Sequence, residues 1–182
     1  MKKLFFTLAI LLSAITVNAQ DVGKFWAGGH IGFSSSKPKG GDATTSFTIM
    51  PELGYVLQEN LGIGVNLGYE HIKTGDVKFD GFKIAPFVRY SFLKGDIGGL
   101  FVDGGVGYTH GKDKVGSVSV KTDEFEVGFR PGVAINVSDR VALTAKYGFV
   151  GYQYQKAGDA KTNTFAADFK FNECLFGVSF VF

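Results

Sequence analysis

The sequence predicts an all-β fold, an eight-stranded antiparallel up-and-down transmembrane β-barrel. Three observations carry that prediction. An exported leader precedes the chain's main body, eight segments then alternate apolar with polar residues, and the apolar side of those segments carries no formal charge.

The leader comes first. Lys2 and Lys3 form a positive start, Leu4 to Ile15 is apolar apart from Thr7 and Ser13, and Val17-Asn18-Ala19 supplies a cleavage site. This is the pattern of a secretory signal peptide, with cleavage expected between Ala19 and Gln20. The apolar run is too short to cross a bilayer as a helix, which takes about 20 residues. The expected division is therefore a signal peptide over 1–19 and a barrel domain over 20–182.

Alternation dominates the rest. Four segments share one pattern: Phe47, Ile49, Pro51, Leu53, Tyr55, Leu57; Phe82, Ile84, Pro86, Val88, Tyr90, Phe92; Val127, Phe129, Pro131, Val133, Ile135, Val137; and Asn172, Cys174, Phe176, Val178, Phe180, Phe182. The three prolines and Phe176 recur at spacings of 35, 45 and 45 residues, an internal repeat of one hairpin unit. Between them run Phe25 to Phe33, Leu61 to Tyr69, Leu100 to Tyr108, and the set Val141, Leu143, Ala145, Tyr147 and Phe149. Each segment has the length a tilted strand needs to span a bilayer.

The opposite face is rich in glycine, with Glu52, Glu70, Lys83, Arg89, Asp103, Glu126, Arg130, Lys146 and Glu173 among the glycines. A narrow eight-stranded interior needs small residues beside large ones, and apolar-out, polar-in alternation is the membrane-barrel pattern. Loop lengths add an orientation. Tight turns fall at Gln58-Glu59-Asn60, Lys94-Gly95-Asp96 and Ser138-Asp139-Arg140, while longer polar connections are expected near 34–45, 73–80, 111–122 and 155–164. Short turns face the periplasm in bacterial barrels, which puts both termini there.

These features, with the terminal run Phe176-Gly-Val-Ser-Phe180-Val-Phe182, resemble the small outer-membrane β-barrels of Gram-negative bacteria, the OmpX and OmpA transmembrane-domain group, over essentially all of 20–182. The resemblance implies the outer membrane as location and Phe180 with Phe182 as the signal read by the barrel-assembly machinery. It departs from full-length OmpA in that no peptidoglycan-binding domain is expected after Phe182.

Several function classes lose support. The precursor carries 19 Lys+Arg against 17 Asp+Glu, and without Lys2 and Lys3 the balance is 17 to 17, so a nucleic-acid partner has no compositional backing. Cys174 stands alone, which excludes a disulfide framework. No metal, cofactor or catalytic set is expected. His30 points inward, His71 and His110 lie near the rim on non-adjacent strands, and Ser34, Ser35 and Ser36 lack an orienting carboxylate. Gly62-Ile-Gly64 and Gly105-Val-Gly107 open no helix and are not phosphate loops.

The nine interior charges are expected to pair with one another into a salt-bridged plug, since unpaired charges in a low-dielectric interior are costly. The expected role is structural or interactive. A narrow porin-like channel is the alternative, and a lipid A-modifying enzyme a remoter one. Outside, Lys37, Lys39, Lys73, Lys78, Lys112, Lys114, Lys121, Lys156 and Lys161 outnumber the nearby acids, suggesting contact with outer-membrane lipid and lipopolysaccharide phosphates. The prolines sit in strands of a barrel that has no edges, and aligned bulges would accommodate them. A change of parity between Phe171 and Phe176 suggests another bulge near Asn172 and Glu173, or an extension of strand 8 above the membrane.

Overall fold

The computed structural model describes residues 22–169 and 174–182. The leader, Glu173 and the expected bulge at Asn172 lie outside the described residues. Ten strands run β1 (Phe25–Ser36), β2 (Thr44–Gln58), β3 (Leu61–Thr74), β4 (Val77–Gly95), β5 (Gly98–Val115), β6 (Val118–Ser138), β7 (Val141–Lys146), β8 (Phe149–Ala157), β9 (Ala160–Asp168) and β10 (Leu175–Val181).

They make a closed barrel of eight antiparallel staves. β7 and β8 follow one another along β6 as the seventh stave, β9 and β10 form the eighth, and β10 pairs with β1 to close the ring. At the seam Phe25 and Phe182 exchange backbone hydrogen bonds of 2.9 Å in both directions. Among the described residues the seam is paired from Trp26 to Ile31, while β9 pairs with β8 alone.

The molecule is inside-out relative to a water-soluble protein. Trp26, Ala27, Ala85, Phe87, Phe101 and Phe149 are the buried apolar residues, whereas His30, Glu52, Asn66, Asp103, Thr109, Thr122, Glu126, Thr144 and Lys146 are buried and polar. Outside, Phe33, Leu53, Leu67, Phe82, Val88, Phe129, Leu143 and Phe176 stand exposed in a continuous belt. Such a belt on a soluble monomer would be an association patch; on a closed barrel it is the lipid face.

Inward glycines make room for the few large interior rings. A Cβ on Gly54 would meet the Trp26 indole at 2.0 Å, and one on Gly132 would meet the Phe101 ring at 2.3 Å. The glycine-rich inner face is thus shaped around Trp26, Phe87, Phe101 and Phe149.

Two expectations need correction. Three of the four connections expected to be long loops are tight hairpins instead: β3–β4, β5–β6 and β8–β9 turn at Gly75-Asp76, Gly116-Ser117 and Gly158-Asp159. Their glycines adopt φ of 57°, 59° and 59°, the left-handed conformation that such turns demand. The strands simply continue beyond the apolar belt, and β4, β5 and β6 reach 19, 18 and 21 residues. Only 37–43 remains a loop of some length. Second, Phe149 faces inward and is buried, not outward. Gly148, at φ 77°, inserts one extra residue opposite Arg130 and Pro131 and reverses the parity along β8.

The prolines follow a common rule. Pro51, Pro86 and Pro131 each lie where pairing to the following stave lapses, between Ile49 and Glu52, Ile84 and Phe87, and Phe129 and Gly132, while pairing to the preceding stave continues. A residue with no N–H to donate costs nothing there. An extra residue accompanies the lapse only at Pro131, where Tyr147 N donates to Pro131 O at 3.0 Å. Aligned bulges do exist, at Leu57, Phe92 and Val137, six residues further along each repeat.

Candidate functional site

Alternation aims the interior charges inward, and cross-strand register decides which of them meet. Arg89 faces Asp103 across β4–β5, Asp103 faces Arg130 across β5–β6, and Gly132 faces Lys146 across β6–β7. Long side chains then cross the narrow lumen and gather in two groups.

The first group lies at mid-barrel and is charge-balanced. Glu52 accepts from Trp26 Nε1 at 2.8 Å, from Lys146 Nζ at 2.6 Å and from Arg89 Nη2 at 2.9 Å. Asp103 accepts a fork from Arg89 through Nε and Nη2 at 2.7 and 2.8 Å, and Lys146 Nζ at 2.9 Å. The Arg89 guanidinium also sits 4.2 Å from the Phe101 ring centroid and 5.3 Å from that of Trp26. With Lys146 4% and Glu52 2% exposed, these ions are out of water, and each must be answered by the others.

The second group lies nearer the hairpin end. Glu126 accepts from Lys83 Nζ at 2.7 Å and from both terminal nitrogens of Arg130 at 2.9 and 3.0 Å. Glu124 lies on the same face of β6 as Glu126, opposite Thr109. The sequence reading passed over Glu124, although its even number placed it inward with Glu126. Glu70 lies opposite Gly81 towards the hairpin end.

The two groups gather in the middle of the lumen, beside a pocket of about 30 Å³ bounded by Asn66, Lys83, Asp103, Glu126, Arg130 and Lys146. Below them the barrel opens. A cavity of about 800 Å³ occupies the short-turn end, floored by Trp26, Arg89, Phe101 and Thr144. Its walls include small side chains such as Gly62, Ser91, Gly99, Ala134, Ala142 and Ser179, so the charge groups do not fill the whole interior.

His30 is buried beside the first group. Thr144 Oγ1 lies 3.1 Å from its Nε2, and its Nδ1 lies 3.7 Å from Glu52. The order Thr-His-Glu has the connectivity of a nucleophilic triad, but the second leg exceeds hydrogen-bond length and Glu52 is already taken by three donors. Ser34 lies four residues from His30 on the same face of β1, opposite Ser46.

His71 and His110 do not converge. Each instead meets an aspartate on the next strand: His71 Nδ1 and the Tyr69 hydroxyl donate to Asp80 Oδ1 at 2.7 and 2.8 Å, and His110 Nδ1 and the Tyr108 hydroxyl donate to Asp123 Oδ1 at 2.7 Å each. These bonds, the histidine's first, hold both carboxyls below the ordinary aspartate range. Among the described residues no three potential metal ligands are grouped.

Closed topology, apolar exterior and polar lumen together narrow the comparison to membrane barrels. The sequence profile of the outer membrane protein beta-barrel domain matches residues 4–182. The chain belongs to that family. Among solved structures it is similar to Neisserial surface protein A, with a TM-score of 0.55 and 16% identity over 87% of this chain and 96% of that one. It is also similar to Ail, the attachment invasion locus protein of Yersinia pestis, with a TM-score of 0.51 and 15% identity over 89% of this chain and all of the other. At such identities the likeness concerns the fold. No curated protein matches by sequence.

Proposed function

We propose that this barrel is a sealed structural and surface-interaction element of the outer membrane rather than an enzyme or a pore. The observation that carries this reading is the pair of charge groups across the mid-lumen, whose members satisfy one another at 2.6–3.0 Å. Residues 1–19 serve export, the short turns and both termini face the periplasm, and the hairpins at Gly75, Gly116 and Gly158 project outside. Phe180 and Phe182 present the final strand to the barrel-assembly machinery. The basic outer hairpins rest against the phosphates of lipopolysaccharide.

A narrow channel is the second reading, and one observation favours it: the cavity of about 800 Å³ at the short-turn end leaves only the mid-barrel groups as a barrier.

Location and orientation are tested together. With Cys174→Ser as background, single cysteines at Ser117 and Asp139 are treated in intact cells with a membrane-impermeant maleimide. The proposal expects labelling at 117 only, a mature N-terminus at Gln20, and retention in the membrane pellet after carbonate extraction. Labelling at 139 in intact cells, or release by carbonate, rejects it.

A further inference from the structure

Three hairpins carry the same outward-facing motif. Tyr69-x-His71-x-Lys73 rises on β3 and Lys78-x-Asp80-x-Phe82 returns on β4. Tyr108-x-His110-x-Lys112 rises on β5 and Lys121-x-Asp123-x-Phe125 returns on β6. Tyr152-x-Tyr154-x-Lys156 rises on β8 and Lys161-x-Asn163-x-Phe165 returns on β9.

Register turns each motif into three rungs. The lowest is aromatic: Tyr69 faces Phe82, Tyr108 faces Phe125 and Tyr152 faces Phe165. The middle rung pairs His71 with Asp80, His110 with Asp123 and Tyr154 with Asn163. The top rung sets lysine against lysine: Lys73 with Lys78, Lys112 with Lys121 and Lys156 with Lys161. In all three, the lower tyrosine hydroxyl donates to the middle-rung Asp80, Asp123 or Asn163 at 2.7–2.8 Å.

Like charges directly opposite one another destabilise an antiparallel pair. Here the arrangement occurs three times, and Lys78 also faces Lys114 between the first two hairpins. All six rung lysines are exposed, and among the described residues none lies within 4.0 Å of a carboxylate. Two outward acids stand beside them: Asp80 faces Lys112 across β4–β5 and lies 3.8 Å from Lys114, and Asp123 faces Lys156 across β6–β8. Both are also engaged from below by tyrosine and histidine, so the rung lysines remain in excess over the acids at this height. Each lysine stands four residues beyond an aromatic residue of the apolar belt, about 13 Å along the strand. That is where anionic headgroups meet a barrel whose aromatic girdle marks the membrane interface. The remaining staves carry Ser35 and Thr45 at this height, Thr45 facing Lys73.

We infer that each of the three hairpins is a docking site for one phosphorylated lipid headgroup of the outer leaflet, its lysine pair clasping the phosphate and its Tyr·Phe rung resting on the acyl chains beneath. This rests on the proposed outer-membrane orientation. The charge complementarity is built into the protein, so the contact needs no divalent cation to bridge phosphate to protein.

The test uses the full-length mature protein in phosphatidylcholine nanodiscs doped with bis-phosphorylated lipid A, with bound lipid counted by native mass spectrometry in the presence of EDTA. The expected count is three. K73Q/K78Q, K112Q/K121Q and K156Q/K161Q each remove one, weakening that site about 30-fold, and all six changes together abolish retention. K37Q/K39Q in the first loop changes nothing, and circular dichroism confirms that every variant is folded.

Dephosphorylated lipid A should bind no better than the surrounding phospholipid, and millimolar inorganic phosphate should not displace the lipid. Displacement by free phosphate overturns the lipid assignment. Lipid A retained by the six-fold variant, or lost in K37Q/K39Q, overturns the three sites while leaving general lipid contact standing. Absence of any preference for lipid A over phosphatidylcholine sinks both.

Discussion

Replacing Lys146 with methionine keeps the length of the side chain and removes the charge that bridges Glu52 and Asp103 at 2.6 and 2.9 Å. In the native group two acids, Glu52 and Asp103, face two bases, Arg89 and Lys146. The variant leaves Arg89 alone to answer both acids at sites only 2% and 6% exposed. Breaking a buried pair in this way costs about 3–5 kcal/mol, because a charge is left without compensation. If water filled the lumen, screening would cut the effect to about 0–1 kcal/mol. Adding Glu52→Gln to Lys146→Met restores one acid to one base, so the double variant should be more stable than Lys146→Met alone. The assay is urea unfolding of protein refolded into lipid vesicles, followed by fluorescence. The chain's single tryptophan, Trp26, donates to Glu52 at 2.8 Å and reports on this group directly. A Lys146→Met effect under about 1 kcal/mol, or strict additivity in the double variant, would refute a dry, mutually compensated interior.

Three further outcomes follow from the geometry. Val65→Arg or Val133→Arg places a charge on the lipid face and should cost about 2–4 kcal/mol, against almost nothing for Ser117→Arg at a hairpin tip; equal costs in refolding would reject the assigned alternation. Gly54→Ala puts a methyl 2.0 Å from the Trp26 indole and should destabilise by about 1–3 kcal/mol with a shift in Trp26 emission, whereas an unchanged spectrum and midpoint would contradict the packing. The Asp80 and Asp123 carboxyls, depressed chiefly by His71 and His110, should titrate by NMR below the ordinary value of 3.8. Their native interactions hold above that value and are lost as pH falls through the depressed one. His71→Phe should move Asp80 back up, and no movement would remove the histidine as the cause.

Much of this molecule could be read from its sequence because a barrel stave obeys one period. Parity alone placed Glu52, Lys83, Arg89, Asp103, Glu126, Arg130 and Lys146 inside, and the structure joins all seven in two groups. It failed at Phe149, because one glycine in the left-handed region shifts register without breaking the apolar pattern. It failed again at the outer connections, since lysine-rich strand extensions beyond a membrane have loop-like composition. The docking motif was present in the sequence as three repeats of Tyr and Lys, four residues apart, answered by Lys and Phe. Its meaning needed the cross-strand register, which shows that lysine faces lysine. The short-turn cavity was not legible at all, for it depends on how far Arg89 and Lys146 reach across the lumen. No spacing encodes that reach.

Ionic current through single barrels in a planar bilayer tests the sealed interior most directly. Purified wild-type protein should insert without conductance steps, because the charge groups around Glu52 and Glu126 pair across the mid-lumen, beside a pocket of about 30 Å³. A steady ohmic conductance from every inserted barrel, unchanged in Lys146→Met, would contradict the account and make the short-turn cavity the mouth of a pore.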